Sequence, residues 1–368
     1  MKQAKWFLII AAIYLLGYLA HAFILQKTVY GDGIYYFSWI RSAIVDHDIN
    51  FTNEYAHFGV SARGNKHPIG APLFWLPWYA QAHAIIGKSG YELSYQLPVG
   101  LISVLAAISG LILLFRLLKF HFSSSASMLA VLSIAGATNL LFYSSIDTVN
   151  SHAISFFAAT VFLSFLYSKN VSPFLTGCAL GFCALVRPQD AILGILAIPR
   201  LFVIPAKAGI QFFLGILLAF FPQLLAWYAL YGTPWTSPYL TGGESFTWWS
   251  PHFLNVLFSP TNGLFLWTPI TILATLGFLF WKDARRSWFL ALFAVEVAIV
   301  GSWSIWWQGA SYSGRMLVST LPVLAFGLSA LYGKLISLGL RWKSILLAII
   351  GPLTIINILL IIRFLLEA

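Results

Sequence analysis

The chain has 368 residues, 60% of them hydrophobic and only 9% charged, with a mean hydropathy of +0.84 and a net charge of +10. Soluble domains carry about 25% charged residues, so this composition excludes a soluble globular fold and fits a polytopic membrane protein. The positive charge would point to nucleic acid in a soluble protein. Here it is read through its distribution between membrane faces, and no nucleic-acid partner is expected.

In chain order, Lys2 and Lys5 precede an apolar run at 6–26. Ala20-His21-Ala22 imitates a signal-peptide cleavage site, but the length of the run and the many runs behind it favour an uncleaved first helix. Gly31-Asp32-Gly33 follows, then apolar residues at Ile34, Phe37, Ile40 and Ile44. That helical period suits a helix lying on the membrane surface. Residues 72–86 form a short apolar run holding Pro77, Gln81 and His83. Further runs lie at 93–118, 126–145, 152–168, 174–186, 191–203, 210–230, 264–281, 288–305, 316–335 and 345–362, eleven with the first. The two that flank Arg187-Pro188-Gln189-Asp190 are short for a span of about 20 residues. Cys178 and Cys183 share one of them without metal-ligand company and read as packing residues.

The positive-inside rule decides the course of 72–86. If it does not cross, the 21 Lys and Arg divide 13 cytoplasmic to 8 outer, Arg63 among the latter; if it does, they divide 6 to 15. Residues 72–86 are therefore expected to lie in the outer interface or to re-enter. That makes 27–91 one long outer loop, and a second, Trp-rich outer loop covers 231–261. The expected architecture is a single all-α polytopic membrane domain over 1–368. It has about eleven transmembrane helices plus interfacial helices in the first outer, or periplasmic, loop.

This orientation puts nine of the 11 carboxylates on the outer face, so the chemistry is expected there. Asp32 is either the cap of its helix or a general base at the lipid–water boundary, and the two roles are compatible. Asp46-His47-Asp48 with Asn53-Glu54 reads as a solvated loop or a divalent-cation site. Lys66-His67 stands where a cation pair meets a lipid phosphate or where a lysine snorkels. Arg187 sits on a recessed turn, and a recessed Arg requires an anion or a carboxylate, for which Asp190 is one candidate. Arg315 opens a span at its N-terminus, a position suited to phosphate. Asp147 and His152 flank a turn where Asn150 or Ser151 is expected to cap the next helix. Trp235, Trp248 and Trp249 read as interface anchors, and Glu296, mid-span, as a functional acid or a neutral structural one.

The layout resembles the GT-C superfamily of membrane glycosyltransferases, which includes protein O-mannosyltransferases and lipid A aminoarabinose transferases. The resemblance rests on Gly31-Asp32-Gly33, His67-Pro68-Ile69-Gly70-Ala71-Pro72-Leu73, Ser151-His152-Ala153, Leu185-Val186-Arg187-Pro188-Gln189 and the Trp306 to Met316 segment. It implies a bacterial inner-membrane enzyme with a site facing the periplasm. A polyprenyl-phosphate-linked sugar would be the donor, and a glycan, lipid or protein hydroxyl the acceptor. Asp32 would be the base. Arg187, Arg315, His67 and Lys66 would hold the donor phosphate, and Asp48, Glu54, His152, Asp190, Trp307 and Gln308 would contact substrate. Many members carry an acidic pair where this chain has Asp32-Gly33, so no metal ligand is assigned and a divalent cation stays open. Two other classes compete. One is a flippase or transporter using Glu296 and Asp190 as a proton path; the other is a glycan polymerase or ligase.

Overall fold

The computed structural model describes residues 2–62, 64–339 and 341–367; Arg63 lies outside them. The chain is 74% helical. Among the described residues β pairing is confined to one antiparallel bridge, Phe246 with Trp303. Helix α1 is Lys2–Leu25. The first loop then builds α2 (Gly33–Arg41), α3 (Thr52–Phe58) and α4 (Gly70–Ile86). Next come α5 (Leu93–Lys119), α6 (Ser124–Ala137), α7 (Leu140–Ser145), α8 (His152–Leu166) and α9 (Pro173–Val186). A 3-10 segment, Pro188–Ala197, leads into α10 (Ile198–Leu201) and the long α11 (Ala206–Tyr231). The second loop carries α12 (Pro238–Thr241) and α13 (Phe253–Phe258). The chain continues through α14 (Leu264–Trp267), α15 (Ile270–Gly277) and α16 (Arg285–Ser302). A 3-10 turn, Arg315–Thr320, runs into α17 (Leu321–Ser337), and α18 (Arg341–Glu367) ends the described chain.

All eleven apolar runs are helical, and five helical stretches are long and apolar enough to cross a membrane: α1, α5, α11, Arg315–Ser337 and α18. The other runs are shorter or broken. Residues 191–203 show how a 3-10 segment lengthens a short run. The 3-10 helix rises about 2.0 Å per residue against 1.5 Å for an α-helix, so Pro188–Ala197 covers more depth than its residue count implies. Ser123 and Ser172 start α6 and α9 with ordinary side-chain caps, accepting from Ala126 N and Leu175 N, and Pro173 sits at the first helical position. Helices α9 and α11 pack at backbone distance. A Cβ at Gly177 would stand 1.9 Å from the Phe212 carbonyl, and one at Gly215 2.2 Å from that of Phe174. Small residues allow such an approach between helices in lipid. The opposite side of α11 exposes Phe213, Leu217 and Leu218.

The first loop is a packed platform. Phe37 of α2 and Trp75 and Tyr79 of α4 are fully buried in one core with Tyr95 and Val99 of α5. The Trp75 indole donates to Ser103 Oγ at 2.9 Å. Residues 72–86 are helical, within α4, and pack against α2 and α5. Two glycines set where the platform begins: Gly31 has φ +52°, and a Cβ at Gly33 would stand 2.5 Å from the Val149 carbonyl. Cys178 and Cys183 are free thiols, and Cys183 is buried.

Candidate active site

At the platform end of the bundle a cavity of about 460 Å³ opens between the first loop, the turns at 150–152 and 187–189, the second loop and the 303–316 segment. It brings together Asp32, Lys66, His67, His152, Arg187 and Arg315, six residues singled out from the sequence and drawn from positions far apart in the chain.

Asp32 precedes α2 but makes no side-chain capping bond. Its Oδ2 instead accepts from Arg315 Nη1 at 2.7 Å. Of the two readings of Asp32, the cap is not realised. Burial alone would raise the pKa of Asp32. The Arg315 guanidinium, with Lys66 further off, outweighs burial and holds the carboxyl below the ordinary Asp range. The remaining Arg315 Nε is buried and has no hydrogen-bond partner.

Arg187, 4% exposed, lies at the end of α9, where an extended backbone (φ −150°) breaks the helix. Among the described residues no carboxylate lies within 4.0 Å of it, so Asp190 is not its partner. It meets weak acceptors only: Met316 Sδ at 2.9 Å, Met316 O at 3.4 Å and His152 Nδ1 at 3.4 Å. Asp190 is fully buried and takes the Ser155 hydroxyl at 2.6 Å.

His67 stacks on Tyr35 at 4.9 Å, and its Nε2 is buried without a partner. Burial pushes its pKa down to about 4, so the ring is neutral near pH 7 and offers a hydrogen bond rather than a charge. The cation pair expected of Lys66-His67 is therefore a single cation. Lys66 is already engaged: Nζ reaches Glu244 Oε1 at 2.6 Å and lies 5.4 Å above the Tyr239 ring. Glu244 also accepts from the Trp303 indole at 2.8 Å, so this contact ties the two loops together.

The other candidates lie elsewhere. Asp48 accepts from Ser42 Oγ at 2.6 Å, and Glu54 pairs with Arg41 at 3.0 Å, which also holds Asp46. These three acids brace the first loop, away from the cavity lining. Gln308 is buried with φ +61°, and its Oε1 accepts from Met316 N at 2.8 Å. It thereby fixes the backbone that Arg187 and Gln189 meet. The Trp307 side chain is half exposed, while its carbonyl accepts from Asn262 Nδ2. Ser151 makes no capping bond to α8; its Oγ accepts from Tyr36 OH at 3.0 Å. Sequence reasoning gave no role to Tyr36, Gln189, Tyr239, Glu244 or Trp303, all of which line the cavity. Tyr239 and Glu244 sit in the loop read as an interface anchor, where the strongly exposed Trp235 and Trp249 dominate the pattern.

A divalent cation finds no donor set here. Among the described residues no group of three His, Cys, Asp or Glu is placed to hold a metal ion. Next to Asp32 the positive charge is the Arg315 guanidinium. No step below runs through a metal.

Asp147, in the turn before α8, accepts from Asn150 Nδ2 at 3.1 Å. Burial, reinforced by the negative charge of Asp32, pushes its pKa up to about 7. The unfolded carboxyl titrates near 4. Between pH 4 and 7 the native state therefore holds the extra proton, and stability falls as pH rises through that window. Asp147→Asn removes the penalty. It should raise the melting temperature at pH 8 but hardly at pH 4, by an amount on the order of 2 kcal/mol for a partly exposed group. Thermal unfolding in detergent at both pH values checks this; equal shifts would contradict it.

No family model and no curated protein matches the chain. Ten chains of solved structure do. The Archaeoglobus fulgidus oligosaccharyltransferase in its apo form aligns with a TM-score of 0.62 at 12% identity, over 98% of this chain and 56% of its own. ArnT from Cupriavidus metallidurans, bound to undecaprenyl phosphate, aligns with a TM-score of 0.59 at 13% identity, over 94% of this chain and 63% of its own. The chain shares the fold of these two proteins. The archaeal oligosaccharyltransferase AglB in complex with an inhibitory peptide and a dolichol-phosphate aligns likewise, with a TM-score of 0.60 at 11% identity. The chain spans 56–63% of the lengths of these three proteins. The likeness at this identity is one of fold, and the cavity must be read from its own residues.

Proposed function

We propose that this protein is a membrane glycosyltransferase. It would move a sugar from a polyprenyl-phosphate donor to the hydroxyl of a glycan, lipid or protein acceptor on the periplasmic side of a bacterial inner membrane. The observation that carries the reading is Arg187: a buried guanidinium on a cavity wall with no carboxylate partner. A charge held that way requires an anion. The unpartnered Arg315 Nε supplies a second donor to the same space, and a guanidinium fork suits phosphate.

In this reading Arg187 and Arg315 take the donor phosphate, His67 adds a neutral N–H, and Lys66 flanks them. The acceptor oxygen attacks the anomeric carbon and the C–O bond to phosphate breaks on the opposite side, so configuration inverts. The acceptor proton passes to the Asp32 carboxylate, and the lipid phosphate leaves as an anion held by the arginines. As the phosphate draws on Arg315, the charge beside Asp32 is shared and the carboxylate becomes a stronger base. The positive-inside count supports the orientation.

The test is a transfer assay. The purified chain in liposomes receives radiolabelled polyprenyl-phosphate sugars and a membrane extract as acceptor source. Labelled product with release of polyprenyl phosphate is expected. Donor movement across the bilayer in sealed liposomes without any transfer would replace this reading with the flippase.

A further inference from the structure

Gln189 and Glu296 form a contact that the transfer reaction described above does not use. Glu296 is 0% exposed, in the middle of α16. An acid at that depth marks a functional group by default. Its Oε1 accepts from Gln189 Nε2 at 2.6 Å, and the same Nε2 donates to Met316 O at 3.0 Å. A backbone carbonyl only accepts, so the amide nitrogen must be the atom facing Met316. Both N–H groups of Gln189 are thereby turned into the protein. Among the described residues its Oε1 has no partner, and Gln189 lines the cavity. The wall around it offers donors in Arg187, Arg315, His67 and Lys66, and its two carboxylates, Asp32 and Glu244, are each already held by a cation.

We infer that Gln189 reads the sugar of the donor, accepting a hydrogen bond from a ring hydroxyl or amine, and that Glu296 is the positioning residue that keeps its carbonyl aimed. This rests on the donor class proposed above. A phosphate is rich in acceptors and gains nothing from an amide oxygen, whereas a sugar carries several O–H donors. The cavity then divides into an anion-holding side and a neutral acceptor, engaged by no cation, that senses the group attached to it. Without Glu296 the amide is free to rotate and the selectivity falls.

Binding to the full chain in lipid nanodiscs separates the two sides. The probes are a polyprenyl phosphate and its glucosyl, mannosyl and aminopentosyl esters, followed by tryptophan fluorescence. Wild type should bind at least one ester more tightly than the bare phosphate. Gln189→Leu should weaken that ester about 10-fold, the effect of one lost hydrogen bond, and leave the bare phosphate unchanged. Glu296→Leu should do the same to a lesser degree, Glu296→Gln should restore the ester because it keeps an acceptor, and Gln189→Leu/Glu296→Leu should lose no more than Gln189→Leu alone. Gln189→Met serves if the leucine variant does not fold. Equal losses for ester and phosphate, or an unchanged ester, would overturn the inference. So would a wild type with no preference for any ester, with the phosphate site left standing. A wild type that binds neither lipid would overturn the proposed function itself.

Discussion

Arg187→Met lowers kcat/KM for sugar transfer by about 100- to 1000-fold, the usual effect of removing a preorganised donor aimed at developing charge. The same substitution leaves the ligand-free protein as stable as wild type or more so. The guanidinium is buried against Met316 and His152 with no carboxylate, so its removal relieves an uncompensated charge. A structural arginine would behave in the opposite way and cost stability when lost. A third readout completes the argument: polyprenyl phosphate should raise the melting temperature of wild type, as any ligand of the native state does, and should fail to raise that of Arg187→Met. Arg187→Lys keeps a point charge but loses the fork, and should fall between the two. Thermal shifts with and without polyprenyl phosphate, alongside initial rates, measure all three. A drop in ligand-free stability with the thermal shift intact would return Arg187 to a packing role.

Asp32→Asn lowers kcat by about 100- to 10,000-fold, the range for a lost general base. Unlike Arg187→Met, it also destabilises. Arg315 stays in the cavity wall with its 2.7 Å partner neutralised, which for a partly exposed pair costs about 1–3 kcal/mol. The pH dependence follows from the sign of the shift. The Asp32 carboxyl is held below the ordinary range. Its contribution to stability is therefore fully present above an ordinary Asp value of about 4 and is lost as pH falls through the lower native value. Asp147 titrates in this range and feels the Asp32 charge, so the comparison is made in an Asp147→Asn background, where the stability difference between Asp32 and Asp32→Asn should be flat from pH 5 to 8. A difference that shrinks on going from pH 8 to pH 5 would mean that Asp32 is not the ionised partner of Arg315. Retained transfer in a folded Asp32→Asn protein would move the base elsewhere.

The helices were legible in the sequence because each needs only a local apolar run, and all eleven runs are helical. Helix α2 was legible from the period of Ile34, Phe37 and Ile40, and α4 from its short apolar run. The partners were not. Asp32 with Arg315 and Lys66 with Glu244 are 283 and 178 residues apart, and nothing in spacing selects them. Asp32 looked equally like a cap because capping is decided within three residues, whereas its actual bond is decided by where the 3-10 turn before α17 begins. Lys66-His67 looked like two cations because the burial that neutralises His67 is a tertiary property. Gln189 stood in view inside the Arg-Pro-Gln stretch and was passed over, since an amide carries no charge with which to announce a site.

The ion pair between residues 32 and 315 also sets a rule for biosynthesis. During translation the platform precedes its partner, because the Arg315 guanidinium that meets Asp32 is synthesised 283 residues later. Until the Arg315 segment inserts, Asp32 faces the cavity without its countercharge, and the anion-holding wall lacks one of its two arginines. A nascent chain stopped before Arg315 therefore carries the platform without the wall that closes the cavity. Both arginines stand on the cavity wall only once the 303–316 segment is in place.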